Sequence, residues 1–350
     1  MKFLAGVSVL ASLASAASVE LGRRASPLDV KLEMVGNTAV KATITNNGAE
    51  DLKVFKTGTF LDDSAVEKVE VFQSASKIAF DGLRLQVSTT GLTDDAFQTI
   101  PAGEVVEATF DIAEMHDLSV GGEFDVISTG AISYAEADST EIAGIVPFSS
   151  NTLTAAVDGV QAREARDNFL NKRTSVQSDC TGTRLTATRN ALTNCRALAA
   201  AASSAAASGA AAKMTEYFKS STTATRSTVA TVFSRVASEC GSTTSGVSRY
   251  YCSDVYGACS SGVLAYTLPS SSYMVNCPLY FTGLTALSRT CHAQDQTTTT
   301  LHETTHLTQI KGTSDYGVYG YNAVRALSAA QNLNHADTYA LFANAIYVGC

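Results

Sequence analysis

The sequence has no cysteine before Cys180, although it contains eight cysteines in all. No two of the eight form a C-x-x-C pair, which argues against a zinc framework built from thiolates. Charged residues make up only 17% of the chain, and no long apolar run occurs beyond the N-terminus. A membrane-spanning helix, which needs about 20 apolar residues, is therefore not expected. The apolar fraction of 45% nonetheless supports packed cores.

The first residues have the pattern of a secretory signal. Lys2 supplies the positive start, Phe3 to Leu13 is a short apolar run, and Ala14-Ser15-Ala16 is a small-residue cleavage site. A buried N-terminal helix is the alternative, but the run is short and ends in the pattern that signal peptidase recognises. We therefore predict that residues 1–17 are a signal peptide and that the protein is secreted.

An even number of cysteines behind a secretory signal indicates disulfides. All eight lie in the second half of the chain: Cys180, Cys195, Cys240, Cys252, Cys259, Cys277, Cys291 and Cys350. Eight cysteines allow 105 pairings, so the sequence alone does not choose among them.

Charge and cysteine content change at the same boundary. Residues 1–173 carry 14 Lys+Arg and 25 Asp+Glu, whereas residues 174–350 carry 11 and 8. The boundary coincides with the dibasic pair Lys172-Arg173. An ordinary solvated pair is the alternative. We predict cleavage after Arg173, so that residues 18–173 are a pro-segment and residues 174–350 the mature protein.

Hydrophobic periodicity also changes along the chain. Residues 28–150 alternate as strands do, for example in Val30-Lys31-Leu32-Glu33-Met34, with turn residues between the runs. Helical spacing is found from Leu185 to Ala206, from Met214 to Val236 and again from Thr297, while residues 247–285 have the character of hairpins. The predicted fold class is α+β: an all-β pro-domain, then a mainly helical domain with small disulfide-tied hairpins.

Residues 302–306 read His302-Glu303-Thr304-Thr305-His306, an H-E-x-x-H motif on an expected helix with Asp295 as a possible N-cap. Residues i and i+4 of a helix lie one turn apart on the same face, so both imidazoles can reach one metal ion. Glu303 lies beside that metal, where a general base must be. A solvated helix with two surface histidines is the alternative.

A third ligand can be sought by elimination. Position 309 is Gln, which excludes the metzincin continuation, and Glu303 is the last glutamate, which excludes a thermolysin-like ligand. The downstream candidates are Asp315, His335 and Asp337. Asp315 is favoured because Gly312 can end the helix and turn the chain back. Two histidines and one carboxylate leave one position for water, as at a catalytic zinc ion.

The His302–His306 motif followed by Gly312-Thr313-x-Asp315 resembles the deuterolysins, fungal zinc peptidases with an aspartate ligand. The resemblance covers residues 174–350 and includes Tyr266-Thr267-Leu268-Pro269 and Cys291-His292-Ala293-Gln294-Asp295-Gln296. A signal, a cysteine-free pro-segment and a dibasic junction are also the layout of that family.

The resemblance implies one zinc ion bound by His302, His306 and Asp315, with Glu303 as general base and then proton donor. The family has a stabilising Tyr three residues after its ligand Asp, but here that position is Val318 and Tyr319-Gly320 follows. The role is assigned to Tyr319, with Tyr316 as a rival.

Asp337 is implied to orient a ligand His or the Tyr, with a helix N-cap as its alternative role. His292 and His335 are expected to be structural. The implied disulfides are Cys180–Cys252, Cys259–Cys277 and Cys291–Cys350, which leaves Cys195–Cys240.

The chain is thus expected to be a secreted zinc metalloendopeptidase made as a zymogen, in which Glu303 assists attack of zinc-bound water on peptide bonds. Expected partners are protein or peptide substrates, its own pro-segment and a processing protease. No nucleic acid or membrane partner is expected, and the protein is expected to be a monomer. The alternative function is a disulfide-rich secreted binding or antigenic protein whose catalytic site has decayed, an interpretation favoured by the displaced Tyr319.

Overall fold

A computed structural model of the chain describes residues 26–171, 179–241 and 248–350. It contains both helices and strands, which confirms the mixed α+β class. The predicted signal at 1–17 and the predicted processing pair Lys172-Arg173 lie outside the described residues. Within the described parts of the chain, no helix is both long enough and apolar enough to cross a bilayer.

Strands dominate the first part of the chain. They are β1 (Leu28–Met34), β2 (Ala39–Asn46), β3 (Leu52–Phe55), β4 (Glu70–Gln73), β5 (Ser76–Lys77), β6 (Arg84–Val87), β7 (Phe97–Ile100), β8 (Val105–Asp111), β9 (Gly122–Ile127), β10 (Thr129–Ala135), β11 (Ile142–Ser149) and β12 (Leu153–Val157). Eleven of these form three sheets, in the orders β1-β2-β8, β11-β10-β3-β7 and β12-β9-β4-β5.

The alternation of buried and partly exposed side chains along a strand explains these sheets. In β2, Val40, Ala42 and Ile44 are buried while the residues between them are partly exposed. They pack into a core with residues such as Phe124 and Val126 of β9. Helix α1 (Gly159–Asn171) packs against the same core, so this part of the chain is not wholly β as predicted.

The second part of the chain is mainly helical. Its helices are α2 (Gly182–Ser208), α3 (Ala211–Phe218), α4 (Thr223–Cys240), α5 (Pro278–Gly283), α6 (Gln296–His306), α7 (Tyr321–Val324), α8 (Ala329–Asn332) and α9 (Ala336–Val348). The stretch from Met214 to Val236 contains two helices, because Lys219 adopts a left-handed conformation (φ 55°) after α3.

The helices pack around one aromatic cluster. Phe218 of α3, Phe233 of α4, and Tyr339 and Phe342 of α9 lie with ring centroids 5.2–5.7 Å apart. Helix α6 passes through this core with every residue buried. Its side chains are therefore surrounded by the rest of the molecule on all sides.

Four disulfides brace the helical part: Cys180–Cys252, Cys195–Cys240, Cys259–Cys277 and Cys291–Cys350. Three of these pairs are the ones that the family resemblance implies, and Cys195–Cys240 is the pair that it leaves over. Cys195–Cys240 joins α2 to α4, and Cys291–Cys350 joins the loop before α6 to the C-terminus.

The remaining sheet joins the two parts of the chain. Strands β13 (Arg249–Tyr251), β14 (Val263–Leu268) and β15 (Tyr273–Asn276) come from the helical part, and β6 from the first part pairs antiparallel with β14. A hydrophobic cluster containing Leu85 and Tyr266 also takes residues from both parts. The two parts therefore share a sheet and a core, which the sequence interpretation did not anticipate.

Candidate active site

Helix α6 begins at a capping box. Asp295 is the N-cap, as predicted: its carboxylate accepts the Thr298 amide at 2.7 Å, and the Thr298 hydroxyl accepts the Asp295 amide at 3.1 Å. Burial raises the pKa of Asp295, although hydrogen bonds from Ser288 and Thr298 partly offset the rise. The cap sets the start, and therefore the rotation, of the helix that carries His302, Glu303 and His306.

The side chains of His302, His306 and Asp315 converge at one point. An Asp315 carboxylate oxygen lies 3.1 Å from Nε2 of His302 and 3.3 Å from Nε2 of His306. All three are buried, and none of these three atoms has a hydrogen-bond partner among the described residues. Buried polar atoms normally have partners, so three unpaired ligand atoms facing each other indicate a cation site.

The chain reaches Asp315 by a turn that differs from the predicted one. Helix α6 ends at His306, and Leu307 leaves the helical conformation (φ −55°, ψ 132°), whereas Gly312 was expected to end it. The amides of Ile310, Lys311 and Gly312 all donate to the Leu307 carbonyl, and Gly312 has φ 67°. The residues between thus form a tight turn that brings the chain back towards α6.

Hydrogen bonds orient the two imidazoles. Nδ1 of His306 donates to the Thr313 carbonyl at 2.9 Å, which leaves Nε2 to offer its lone pair to a metal. Nδ1 of His302 faces an Asp337 carboxylate oxygen at 3.5 Å, and the other Asp337 oxygen accepts the Gly320 amide at 2.6 Å. His335, not Asp337, is the N-cap of α9, so the alternative role for Asp337 is wrong.

His335 lies nearer the site than predicted. Its buried Nε2 donates to the carbonyls of Asp315 at 3.0 Å and Val318 at 2.9 Å. The ring therefore holds the loop that carries Asp315. His292, by contrast, hydrogen-bonds with the Tyr217 hydroxyl and stacks on Tyr321.

Each of the three converging side chains shifts the pKa of its neighbours. Burial alone would lower the pKa of His302, but the neighbouring carboxylates of Asp315 and Asp337 raise it to about 10. Burial would raise the pKa of Asp315, but the two imidazoles hold it well below its usual value. Burial lowers the pKa of His306 despite the nearby Asp315 charge. Without a metal, His302 and Asp315 therefore form an ion pair.

Glu303 lies beside these ligands and is 1% exposed. The Thr267 hydroxyl in β14 donates to its carboxylate at 2.6 Å. Burial raises the pKa of Glu303 to about 8, against the opposing effects of the His302 charge, Thr267 and the Gln86 backbone amide. A pKa near neutrality suits a group that must both accept and release a proton.

The two candidate tyrosines occupy different places. The Tyr319 hydroxyl donates to the Leu85 carbonyl in β6 at 3.2 Å, and the ring is 2% exposed. The Tyr316 hydroxyl accepts from Nδ2 of Asn334 at 3.3 Å, and its ring stacks on His335. The hydroxyl of the displaced Tyr319 therefore faces the backbone of β6.

Sequence reasoning did not identify Thr267, nor the loop-holding role of His335. Thr267 belongs to a stretch that carries the family resemblance, but nothing in its spacing indicates that its hydroxyl would meet Glu303. The pairing of β6 with β14 had no signal in the sequence, because pairing between residues about 180 positions apart depends on the tertiary fold.

A family model described as the Deuterolysin metalloprotease (M35) family matches residues 1–350. The chain belongs to this family.

Relatives match over the full length of both chains. A neutral protease 2 homolog of Colletotrichum graminicola is 67% identical, and one of Phaeosphaeria nodorum is 62% identical, each with complete coverage of both sequences. A solved structure, a zinc peptidase from Grifola frondosa, is 20% identical with a TM-score of 0.41, over 47% of this chain and 97% of that one.

Membership confirms the predicted enzyme class, a zinc metalloendopeptidase of the deuterolysin type. A protease of this family acts on proteins or peptides. The four disulfides in turn fit an extracellular protein, since such bonds persist in oxidising compartments.

Proposed function

We propose that this deuterolysin-family enzyme holds one zinc ion through Nε2 of His302, Nε2 of His306 and the Asp315 carboxylate. The observation that carries the proposal is the convergence of three buried ligand atoms that lack any partner among the described residues. Two imidazoles and one carboxylate are the donor set of a catalytic zinc site. When bound, zinc supplies a Lewis acid that polarises the peptide carbonyl and lowers the pKa of water.

The side chains around the ligands have distinct roles in peptide hydrolysis. Glu303 accepts a proton from the attacking water and delivers it to the leaving nitrogen, while Thr267 holds its carboxylate in position. Tyr319 donates a hydrogen bond to the carbonyl oxygen as negative charge develops there. Asp337 orients His302, and its position beside the Gly320 amide also restrains the segment after Tyr319.

We also propose that the enzyme is secreted as an inactive precursor. Residues 1–17 direct secretion, and residues 18–173 cover the cleft until cleavage after Arg173. The support for inhibition is β6, which lies between the Tyr319 hydroxyl and β14 and so excludes a substrate from that position.

Two substitutions test the site. Glu303→Gln should retain one zinc per chain and lose about a hundred- to ten-thousand-fold in kcat, because it removes the general base but no ligand. Asp315→Ala should lose the metal, because a charged ligand is gone. Zinc content by plasma mass spectrometry and casein hydrolysis measure both effects. Undiminished hydrolysis by Glu303→Gln would refute the mechanism, and full zinc content in Asp315→Ala would exclude that ligand.

A further inference from the structure

Strand β6 lies along β14 as an added edge strand. The register pairs Arg84 with Thr267, Leu85 with Tyr266, and Gln86 with Ala265. Beyond the strand, the Ser88 amide donates to the Gly262 carbonyl at 2.8 Å. An extended segment that adds to a sheet edge is held by its main chain, which any peptide can provide.

Side chains meet the other edge of β6. The Tyr319 hydroxyl donates to the Leu85 carbonyl at 3.2 Å. The Gln294 side-chain amide donates to the Val87 carbonyl at 2.7 Å and accepts the Thr89 amide at 2.8 Å. These three contacts are with the backbone, and the Thr89 hydroxyl adds one from a side chain, donating to the Gln294 side-chain oxygen at 3.1 Å.

The groups proposed for catalysis lie around one peptide bond of this strand. The Leu85 carbonyl accepts a hydrogen bond from the Tyr319 hydroxyl, and the next residue of the strand, Gln86, lies beside Glu303, where its backbone amide acts to lower the pKa of that carboxyl. The carbonyl oxygen is the atom on which negative charge develops, and the amide nitrogen is the leaving group that needs a proton. The Leu85 carbonyl oxygen therefore lies beside a hydrogen-bond donor, and the Gln86 nitrogen lies beside the proposed proton donor.

We propose that residues 84–89 occupy the cleft in the orientation of a substrate, with Leu85–Gln86 in the place of the bond to be cut and Gln294 binding the backbone beyond it. This inference rests on the proposed function. Gln294 is then a substrate-positioning residue that holds the carbonyl of the second residue, and the amide of the fourth residue, after the cut bond.

The same contacts explain how the strand can remain in the cleft of the precursor. The Leu83 amide donates to the Ala65 carbonyl at 2.8 Å on one side of the bond, and Gln294 holds Val87 and Thr89 on the other. Arg84 also pairs with Glu67 and donates to the Ser314 hydroxyl at 3.0 Å. Both sides are anchored, so a cut would leave the two new ends in place.

A free peptide with the sequence of residues 81–90, DGLRLQVSTT, lacks those anchors and tests the orientation. In its hydrolysis the water oxygen bonds to the Leu carbonyl carbon and the carbon–nitrogen bond breaks. Both water protons end on the new Gln amino group, and a carboxylate remains on Leu. We expect mass spectrometry to find DGLRL and QVSTT as the products.

The full chain is produced with its own N-terminus in a secreting host, and the zinc-loaded active product is tested first on casein. Failure on casein would overturn the proposed function itself. Hydrolysis of casein together with an intact decapeptide, or with cleavage at another bond, would overturn only the substrate orientation. A decapeptide with Pro in place of the Gln should remain uncut, because it lacks the amide hydrogen that faces Glu303.

The role of Gln294 is tested by the ratio of kcat/KM for the decapeptide to that for the amidated hexapeptide DGLRLQ. The hexapeptide lacks both backbone groups that Gln294 contacts. Gln294→Ala should lower this ratio about tenfold or more, since two hydrogen bonds are lost only with the longer peptide. Gln309→Ala is the matched control and should leave the ratio unchanged, because that side chain hydrogen-bonds with Ser272 instead. An unchanged ratio in Gln294→Ala would remove Gln294 from the substrate site.

Discussion

At the scale of single residues, the two candidate tyrosines show how a displacement of one position can be absorbed. Tyr319 lies one residue later than the family pattern, yet its hydroxyl reaches the Leu85 carbonyl. Gly320 (φ 84°) turns the chain directly afterwards, and its amide donates to Asp337. Tyr316 instead stacks on His335 and hydrogen-bonds with Asn334.

We predict that Tyr319→Phe lowers kcat about a hundred- to a thousand-fold, the usual effect of losing one donor to a developing oxyanion. Tyr316→Phe should lower kcat less than tenfold, because its hydroxyl does not face the Leu85–Gln86 bond. Steady-state hydrolysis of one peptide by both variants decides between them. A larger loss in Tyr316→Phe would transfer the role to that residue.

The charges of the site predict how the metal changes stability with pH. In the metal-free protein the pKa of His302 is raised to about 10 and that of Glu303 to about 8. A group whose pKa is raised on folding stabilises the folded state fully at pH values below its ordinary pKa. That contribution is lost as the pH rises through the raised pKa. Glu303 gives such a loss between about pH 4.5 and 8, and His302 between about pH 6.5 and 10. The stability of the metal-free protein should therefore fall over the range from pH 6.5 to 10.

We expect the difference in Tm between zinc-loaded and chelated protein to increase over that pH range, because a metal takes the place of the His302 proton. Burial lowers the pKa of Lys68 to about 8, but Lys68 titrates in both forms, so its contribution cancels in the difference in Tm. Differential scanning calorimetry with and without a chelator measures the difference. A difference that stays constant from pH 6.5 to 10 would contradict the charge state assigned to His302.

At the scale of elements, the start of α6 is the most predictable part of the site. A capping residue followed by helix-compatible residues is a local signal, and Asp295 is the N-cap as expected. The end of α6 was mispredicted, because Gly312 resembles a helix terminator while the chain leaves the helix at Leu307. The carbonyl of Thr313 bonds to His306, and such a tertiary contact has no local signature.

We predict that Asp295→Ala lowers the free energy of unfolding by about 2 kcal/mol, because the cap of a buried helix and the acceptor for the Ser288 amide are both lost. Asp295→Asn should lose less than half of that, since its amide oxygen can still accept the Thr298 amide. Urea denaturation of the two variants measures the difference. Equal losses would show that the charge of Asp295, and not the cap, is what stabilises α6.

At the scale of the whole molecule, the two parts of the chain are joined by β6 on β14 and by a shared hydrophobic cluster. If residues 18–173 are removed as the proposed function requires, the edge of β14 that β6 covers becomes free. The difference in charge between the halves is consistent with their association, and Gln294 of the second half also hydrogen-bonds to the Val87 carbonyl and the Thr89 amide of the first.

We predict that Lys172→Ala combined with Arg173→Ala gives a secreted protein that retains its pro-segment and has little activity, because β6 remains in the cleft. The wild type should begin at Thr174. Arg163→Ala, at an exposed position of α1, is the control and should be processed normally. N-terminal sequencing and casein hydrolysis read out both effects, and a mature start other than residue 174 would refute the assigned junction.

The sequence by itself determined the strand-rich first part, the helical second part and the placement of His302 and His306 one turn apart with Glu303 next to His302, because periodicity and capping are local properties of a chain. Only the tertiary structure decided that Thr267 meets Glu303, that His335 holds the Asp315 loop, and that Leu85 and Gln86 lie against the proposed catalytic groups. These contacts join residues that are far apart in the chain, and such pairings depend on how whole elements pack.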